Sequence, residues 1–227
     1  MPIVFLHGWA MTPAIWQPMA VALRGEASEI HLPALPGHGV ATTHPRNSLA
    51  AWVEALAPAL PRKAILVGWS LGALLALELA RLRPRQVARL ALIGSTPRFV
   101  ASADWPHGLD EETVSDFVEG YARDPAATLR RFLLLQTLGD EARKPLFHKL
   151  LEAACMPRAG QTPQVLADGL RILAAVDLRA NLVAVEQPVC LLHGDGDALM
   201  PPAAAHWLAD ALPRARLHVL ENRGHAA

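Results

Sequence analysis

The sequence of 227 residues has little of several features that would define a function class at once. Its two cysteines, Cys155 and Cys190, lie in unrelated segments, which excludes a disulfide framework and a zinc-binding spacing. Its 21 basic residues balance 21 acidic ones, so the net charge is zero and gives no reason to expect binding to nucleic acid or to an anionic membrane. It has no apolar stretch of membrane-span length, and its apolar start is too short for a signal peptide. We therefore expect a cytoplasmic, monomeric protein that binds neither nucleic acid nor membrane.

What the sequence does have is 52% apolar residues, arranged as short runs that alternate with longer helical patterns. The short runs are typical of strands and lie at Ile3–Leu6, Glu29–Leu32, Ala64–Val67, Val87–Ile93, Val189–His193 and Arg216–Leu220. The helical patterns between them lie at Pro13–Leu23, Leu49–Leu60, Leu71–Arg83 and Pro201–Leu212. This alternation predicts an α/β fold, with a mostly parallel sheet and helices on both of its faces.

The middle of the sequence departs from this alternation, because residues 97–177 contain no convincing strand. Four helical patterns fill it, at Glu111–Ala122, Pro125–Leu138, Glu141–Ala154 and Pro163–Leu173, with Asp110, Asp124 and Thr162 as plausible N-caps. We predict an all-helical lid of residues 97–177, inserted into an α/β core of residues 1–96 and 178–227. A lid over the carboxyl ends of parallel strands would form a pocket there and exclude water. The alternative is that these helices only pack around the sheet.

One pentapeptide, Gly68-Trp69-Ser70-Leu71-Gly72, fits G-x-S-x-G, the nucleophile elbow of serine hydrolases. The strand-like run Ala64–Val67 precedes it and the helix-forming run Leu71–Arg83 follows it, which is the context that the motif requires. Ser70 would then stand above a helix N-terminus, whose partial positive charge suits a developing oxyanion. We predict that Ser70 is a nucleophile; a chance match in an Ala-, Leu- and Gly-rich chain is the alternative.

A serine nucleophile needs a histidine base and an acid that orients it, in the chain order serine, acid, histidine. Asp195 and Asp197 follow the predicted strand Val189–His193, and His225 follows the last predicted strand. We predict His225 as the base and favour Asp197 over Asp195 as the acid. Asp195 is better suited to shaping the turn between two glycines.

The oxyanion hole of such a site is made by backbone N–H groups, here predicted as those of Leu71 and Trp9. His7 precedes Gly8-Trp9 and is predicted to shape that loop, and His38 lies in the turn signal Pro36-Gly37-His38-Gly39. Six further histidines are predicted to be surface residues or to have satisfied hydrogen bonds: His31, His44, His107, His148, His206 and His218.

Several of these motifs together resemble the α/β-hydrolase fold: Phe5-Leu6-His7-Gly8-Trp9, Pro36-Gly37-His38-Gly39, the elbow, residues 196–201 and Gly224-His225. Motifs around the predicted lid, Asp104-Trp105-Pro106, residues 131–137 and Val176-Asp177-Leu178-Arg179, resemble more specifically the pimeloyl-[acyl-carrier protein] methyl ester esterase family of biotin synthesis. The similarity covers nearly the whole chain. In that family a strand or hairpin precedes the position of Ile3, and a final helix follows that of His225.

The resemblance implies a carboxylesterase that cleaves the methyl ester of a pimeloyl chain held on acyl carrier protein. The reaction would pass through an acyl-enzyme on Ser70 and need neither metal nor cofactor. Four residues would line the acyl channel: Trp9, Ser70, Leu71 and Phe132. Lid arginines would bind the acidic carrier protein, and the matching or adjacent positions are Arg130, Arg131 and Arg143. Two other arginine positions of the family hold Ala127 and Phe147 here.

Two other functions remain compatible with the residues. The first is a general short-chain carboxylesterase or a carbon–carbon bond hydrolase of the same fold, because pocket shape sets the substrate. The second is a non-catalytic small-molecule binding module that has kept the fold. High ligand affinity with negligible turnover would distinguish the second from an enzyme.

Overall fold

The computed structural model describes residues 1–38, 48–154 and 164–226. Within them, six strands form one sheet in the order β2-β1-β3-β4-β5-β6, and all neighbouring strands are parallel. The strands are β1 (Ile3–Leu6), β2 (Ile30–His31), β3 (Ala64–Trp69), β4 (Val87–Ile93), β5 (Val189–Gly194) and β6 (Ala215–Leu220). The predicted parallel sheet is confirmed. Residues singled out from the sequence that lie outside the described ranges are Gly39, His44, Cys155, Thr162 and Pro163.

The described residues form eight α-helices, of which four alternate with the strands and four follow one another between β4 and β5. They are α1 (Gln17–Ala22), α2 (Leu49–Leu56), α3 (Leu71–Leu82), α4 (Glu111–Arg123), α5 (Pro125–Gln136), α6 (Arg143–Ala153), α7 (Gln164–Ala175) and α8 (Pro202–Ala211). Short 3-10 helices lie at Pro13–Trp16, Ala57–Ala59 and Arg179–Ala184. The side chains of Asp110 and Asp124 accept hydrogen bonds from the first turns of α4 and α5, as predicted for N-caps.

Four of the predicted elements differ clearly in the structure. The pattern at 13–23 is a 3-10 turn followed by the short α1, and α2 gives way to a 3-10 turn that contains Pro58, which has no N–H to continue an α-helix. Strand β2 has two residues instead of four. Helix α6 begins at Arg143 instead of Glu141, and the Glu141 N–H donates to the carbonyl of Asn222.

Helix α3 is the best-buried element behind the sheet. Its residues from Leu71 to Ala80 are all buried, and Glu78, the one charged residue among them, is paired with Arg81. It packs against β1, β3 and β4. The N-terminus of α3, and with it the elbow, is therefore fixed by the core of the molecule.

Helices α4 to α7, called here the helical insertion, lie between β4 and β5 in the chain. The indole N–H of Trp9 donates to the carbonyl of Leu166 on α7 at 2.7 Å, and the Thr12 N–H donates to Ala153 on α6 at 2.9 Å. These contacts join the insertion to the loop that follows β1, at the carboxyl end of the sheet. The division into a core and a lid stays a prediction.

The two chain segments that lead into and out of the helical insertion are tied together by charged side chains. Arg179 donates to Asp177 at 2.7 Å and to Asp104 at 2.9 Å, and its guanidinium lies 5.4 Å from the ring centre of Trp105. Arg98 adds a bond to Asp177 at 3.2 Å. The hydrogen bond from Arg179, opposed in part by burial, holds the pKa of Asp177 below its ordinary value. Ion pairs thus hold together the two segments that connect the helical insertion to the sheet.

None of the helices in the described ranges combines the length and the apolar character that crossing a membrane would require.

Candidate active site

Ser70 occupies a sharp turn between β3 and α3, with φ of +56° and ψ of −119°. A positive φ is strained for a side-chain-bearing residue and persists only where its surroundings impose it. Close backbone contacts explain why glycines flank Ser70. A Cβ on Gly68 would lie 2.5 Å from the carbonyl oxygen of Gly72, and one on Gly72 would lie 2.2 Å from that of Leu6. The strand–turn–helix context predicted for the G-x-S-x-G motif is present.

The loop after β1 lies directly beside this turn. A Cβ on Gly8 would lie 3.3 Å from Cβ of Ser70, so the next residue, Trp9, begins close to the serine. Within the described residues, the backbone N–H groups of Trp9 and Leu71 have no hydrogen-bond acceptor. Two unpaired donors on either side of a serine are what an oxyanion hole requires.

Two fully buried histidines hold that loop in place. His7 accepts the Leu35 N–H at Nε2 (3.1 Å), and its Nδ1 lies 2.9 Å from the carbonyl of Gly8. His38 accepts the Ala10 N–H at Nε2 (3.2 Å), and its ring centre lies 5.2 Å from that of His7. Each ring therefore accepts at Nε2 and donates at Nδ1, which requires the neutral form. This is the loop-shaping role predicted for His7.

The same two histidines make stability depend on pH. Burial lowers the pKa of His7 to about 3, with the nearby His38 adding to the effect, and burial lowers that of His38 to about 4. Between pH 4 and 6.5 the unfolded chain binds protons that the folded chain does not, so stability falls as pH falls. We expect the pair to reduce the free energy of unfolding by about 4 kcal/mol between pH 7.5 and pH 5. Urea unfolding at both values measures it.

A matched control is His206→Gln, which removes an exposed histidine and should leave the pH effect unchanged. His38→Gln should reduce the effect by about half, in addition to destabilising the loop at every pH. Equal free energies of unfolding at pH 7.5 and pH 5 in the unsubstituted protein would contradict this expectation.

Asp197 and His225 meet behind the elbow, from the loops after β5 and β6. Nδ1 of His225 lies 2.8 Å from Oδ2 of Asp197, and both side chains are fully buried. Oδ1 of Asp197 accepts the N–H groups of Leu199 and Met200 at 2.9 and 2.8 Å. Burial raises the pKa of the Asp197 carboxyl, but His225, His193 and the Met200 N–H together outweigh burial and leave this pKa below its ordinary value. Asp197 is therefore ionised at neutral pH.

His225 presents its other ring nitrogen unpaired. Because Nδ1 faces a carboxylate, which only accepts, Nδ1 carries the hydrogen and Nε2 carries a lone pair. In the described part of the chain, Nε2 has no hydrogen-bond partner and no bond joins it to Ser70. The indole N–H of Trp69, the residue before Ser70, donates to the His225 carbonyl at 2.9 Å. The arrangement can accept a proton beside the elbow serine, and such bonds often tighten only with substrate.

Asp195, the alternative acid, is exposed and does not contact His225. Its Oδ1 accepts only a long bond from the Arg223 N–H at 3.4 Å. The geometry therefore favours Asp197 as the partner of His225. The assignment of Ser70, Asp197 and His225 as catalytic residues stays a prediction.

A cluster of buried aromatic rings lies next to the loop after β1. The ring centre of Trp9 lies 4.8 Å from that of Phe132 and 5.8 Å from that of Tyr121, both with edge-to-face geometry. Phe132 in turn meets Phe117 at 5.7 Å. The structure thus brings together Trp9 and Phe132, two of the residues predicted to line an acyl channel, although they are 123 positions apart in the sequence.

Two polar residues near this site were given no role by the sequence. His193, the penultimate residue of β5, is buried against Asp197, and Gln136, one helical turn beyond Phe132 on α5, is 2% exposed. The Gln136 amide oxygen has no partner among the described residues. Period-two burial along β5 and period-four burial along α5 would have placed both side chains inward.

The predicted carrier-docking arginines all lie on the outer surface of the helical insertion. Arg130 and Arg131 are exposed on α5, and Arg143 is exposed at the start of α6. The Arg131 guanidinium lies 5.0 Å from the ring centre of Phe117. None of the three forms an ion pair with another described residue. Helices α5 and α6 pack against each other, so the three cations belong to neighbouring elements.

A search of the described residues for groups of three or more His, Cys, Asp or Glu side chains that could hold a metal ion finds none.

Comparison with known proteins defines the class of this chain. Residues 3–227 match the model of the alpha/beta hydrolase family, and the chain belongs to that family. Its fold matches an esterase from Exiguobacterium antarcticum, with a TM-score of 0.87 and 21% identity over 99% of this chain and 85% of that one. A bromoperoxidase from Bacillus anthracis matches equally well, with a TM-score of 0.87 and 21% identity over the same shares.

Relatives of higher sequence identity carry a more specific name. The chain is 49% identical to the pimeloyl-[acyl-carrier protein] methyl ester esterase of Aromatoleum aromaticum, over 99% of this chain and 90% of the relative. It is 41% identical to the enzyme of the same name from Nitrosomonas europaea, over 99% and 88%. The chain is thus an enzyme of the carboxylic ester hydrolase class, and the family resemblance drawn from its motifs is confirmed.

Proposed function

We propose that the chain is a serine carboxylesterase that hydrolyses the methyl ester of pimeloyl-acyl carrier protein in biotin synthesis. The observation that carries the chemistry is the 2.8 Å contact between Asp197 and His225, with the free Nε2 of His225 beside the elbow that bears Ser70. The substrate comes from the relatives named above, which are up to 49% identical. Cytoplasmic location and a monomeric state stay predictions.

In the first half of the reaction, Oγ of Ser70 attacks the ester carbonyl carbon while Nε2 of His225 takes the hydroxyl proton. The ionised Asp197 stabilises the resulting imidazolium and holds its Nδ1–H in place. The carbonyl oxygen becomes an oxyanion, which the N–H groups of Trp9 and Leu71 would bind. The carbon–oxygen bond to the methoxy group then breaks, and His225 returns the proton to release methanol.

In the second half, a water molecule takes the place of methanol. His225 removes a proton from this water as it attacks the acyl-enzyme carbonyl, and the oxyanion forms again in the same hole. The bond to Ser70 breaks, the proton returns to Oγ, and a free carboxyl group is left on the pimeloyl chain.

The buried aromatic cluster fits the apolar chain of this substrate. Trp9, Leu71 and Phe132 would line the channel that holds the methylene groups beside Ser70. Burying each methylene group contributes about 0.8 kcal/mol, so a chain of several methylenes gains substantial affinity from such a channel. The helical insertion would act as the lid that closes the channel against water.

The three unpaired arginines support docking of an acidic carrier protein on the lid. Arg130, Arg131 and Arg143 are exposed, lack internal ion pairs and lie on two helices in mutual contact. Complementary charge of this kind raises the rate of association with a protein partner. The arginine positions of the family that hold Ala127 and Phe147 here would make this surface smaller than in other members.

Reversal of these charges tests the docking surface. We expect the triple substitution Arg130→Glu, Arg131→Glu and Arg143→Glu to lower kcat/KM for methyl-pimeloyl-acyl carrier protein by about 10-fold to 100-fold, since like charges would then face each other. Hydrolysis of a free short-chain p-nitrophenyl ester should change by less than about twofold, because that substrate makes no carrier contact.

The matched control reverses three arginines at the opposite end of the sheet, Arg62, Arg85 and Arg214, which precede β3, β4 and β6. It changes the net charge equally and should leave both substrates unaffected. Equal losses of kcat/KM in the two triple variants would mean that net charge, and not a docking surface on the helical insertion, causes the effect. A free ester hydrolysed as well as the carrier ester, whatever the arginines, would favour the general carboxylesterase.

A further inference from the structure

The carboxylate of Asp197 is held by more groups than His225 alone. Oδ1 accepts two backbone N–H groups, and Oδ2 has two histidine neighbours, Nδ1 of His225 at 2.8 Å and Nε2 of His193 at 3.3 Å. The His193 side chain is 1% exposed and that of Asp197 is fully buried. Two imidazole rings therefore share one oxygen of the predicted catalytic acid.

The protonation of His193 follows from its second contact. Its Nε2 lies 2.7 Å from the carbonyl oxygen of Met200, which can only accept, so Nε2 carries a hydrogen. Burial lowers the pKa of His193, although Asp197 opposes this, so the ring is neutral at pH 7. A neutral ring with its hydrogen on Nε2 directs the positive end of the N–H dipole toward Met200 and Asp197.

Met200 connects the two side chains through its backbone. Its N–H donates to Oδ1 of Asp197 at 2.8 Å, and its carbonyl accepts from His193. His193 itself is fixed in β5, where it pairs with Val219 of β6. A side chain on the sheet thus anchors the loop residue that holds the carboxylate.

We propose, as an extension of the esterase function proposed above, that His193 is a positioning residue for Asp197. Its Nε2–H anchors the Met200 carbonyl and lies against the carboxylate oxygen that Asp197 shares with His225. It thereby fixes where this oxygen points and moderates the negative charge that His225 meets. It does not touch the substrate.

The charged surroundings of His193 define what else could influence it. His225 approaches from the loop after β6 and His206 from α8, and both act on His193 electrostatically. Three charged residues stand around the neighbouring turns: Asp195, Arg223 and Asp140. Asp140 contacts Arg223 at 3.6 Å and the Gly224 N–H at 3.4 Å, so this pair fixes the loop that carries His225.

Two substitutions of His193 distinguish the effect of its N–H donor from the effect of its size. The Gln side chain in His193→Gln can place an N–H near the position of Nε2, whereas the shorter Asn in His193→Asn cannot reach Met200. We expect His193→Asn to lower kcat on a free p-nitrophenyl ester by about 10-fold to 100-fold with KM within about twofold, since a small displacement of the acid misaligns the base. His193→Gln should recover most of kcat.

The pH dependence of kcat/KM distinguishes a positioning role of His193 from a purely structural one, because loss of a structural contact alone would not shift it. Without the N–H, the carboxylate oxygen is more negative and holds the protonated base more strongly. The acidic limb of the kcat/KM profile should therefore move to higher pH in His193→Asn and return in His193→Gln. The control His218→Gln removes an exposed histidine of β6 and should leave kcat and the pH profile unchanged.

Wild-type kcat and pH profile in His193→Asn, or equal losses in the Asn and Gln variants, would overturn the positioning role. If thermal unfolding shows that the Asn variant does not fold, His193→Phe, which fills the ring volume without a donor, carries the same comparison with Gln. Ser70→Ala run beside them separates the two proposals. An active Ser70→Ala refutes the esterase mechanism, whereas an inactive Ser70→Ala with an unchanged His193→Asn refutes only the role of His193.

Discussion

Replacement of Ser70 by alanine is expected to lower kcat on a free p-nitrophenyl ester by about 10⁴-fold to 10⁶-fold. The reason is that the proposed mechanism has one nucleophile, and the oxyanion donors and the base have nothing to activate without it. The residual rate would come from binding and from the oxyanion hole alone. Initial rates measured with an active-site concentration fixed by protein mass give the ratio.

The alanine should leave the fold intact, because the Ser70 side chain makes no capping hydrogen bond to α3. The tight turn depends on the two flanking glycines, Gly68 and Gly72, which the substitution keeps. Ser115→Ala, which removes an exposed serine from α4, is the matched control and should keep wild-type activity. A Ser70→Ala protein that retains activity within about tenfold of wild type would exclude the serine mechanism. A protein that binds ester tightly without turnover, before any substitution, would favour the binding module.

The second large effect is expected at the acid. Asp197→Asn should lower kcat by about 10⁴-fold while the protein still folds. The amide oxygen can keep the bonds from the Leu199 and Met200 N–H groups, which turns the amide nitrogen toward His225. Nδ1 of His225 must then accept a hydrogen bond, so the hydrogen moves to Nε2 and the ring can no longer take the proton of Ser70.

Asp195→Asn is the control for this substitution, because it makes the same chemical change two residues away. Asp195 is exposed and holds only a long bond to the Arg223 N–H, so its loss should change kcat by less than about threefold. Similar kcat values in the two variants, or a larger loss in Asp195→Asn, would mean that the wrong carboxylate has been assigned. Thermal unfolding of both variants separates misfolding from lost catalysis.

The elbow and the sheet could be predicted because their signals are local. Gly68 and Gly72 flank Ser70 in one pentapeptide, and apolar runs of four to seven residues set the strands. The parallel orientation of the strands followed from the alternation with helices. Element boundaries were less predictable, as at α6, which begins two residues after its predicted start at Glu141.

The partners that support the site could not be read from the sequence, because each contact joins distant segments. The sequence assigned His7 to the loop after β1, but not its pairing there with His38, 31 residues away. His193 stands four residues before Asp197 in the chain, but a turn intervenes, and only the fold returns its ring to the carboxylate. Arg179 meets Asp104 across 75 positions. The periodicity of apolar residues along the chain does not predict contacts between such distant residues.

The most direct test of the proposed function is the mass of methyl-pimeloyl-acyl carrier protein after incubation with the wild-type enzyme and with Ser70→Ala. We expect the wild type to convert the carrier-bound methyl ester to the free acid, and Ser70→Ala to leave the ester intact over the same time. An ester left intact by the wild type, although the wild type hydrolyses free p-nitrophenyl esters, would contradict the assigned substrate. An ester cleaved equally by both proteins would contradict the assigned nucleophile.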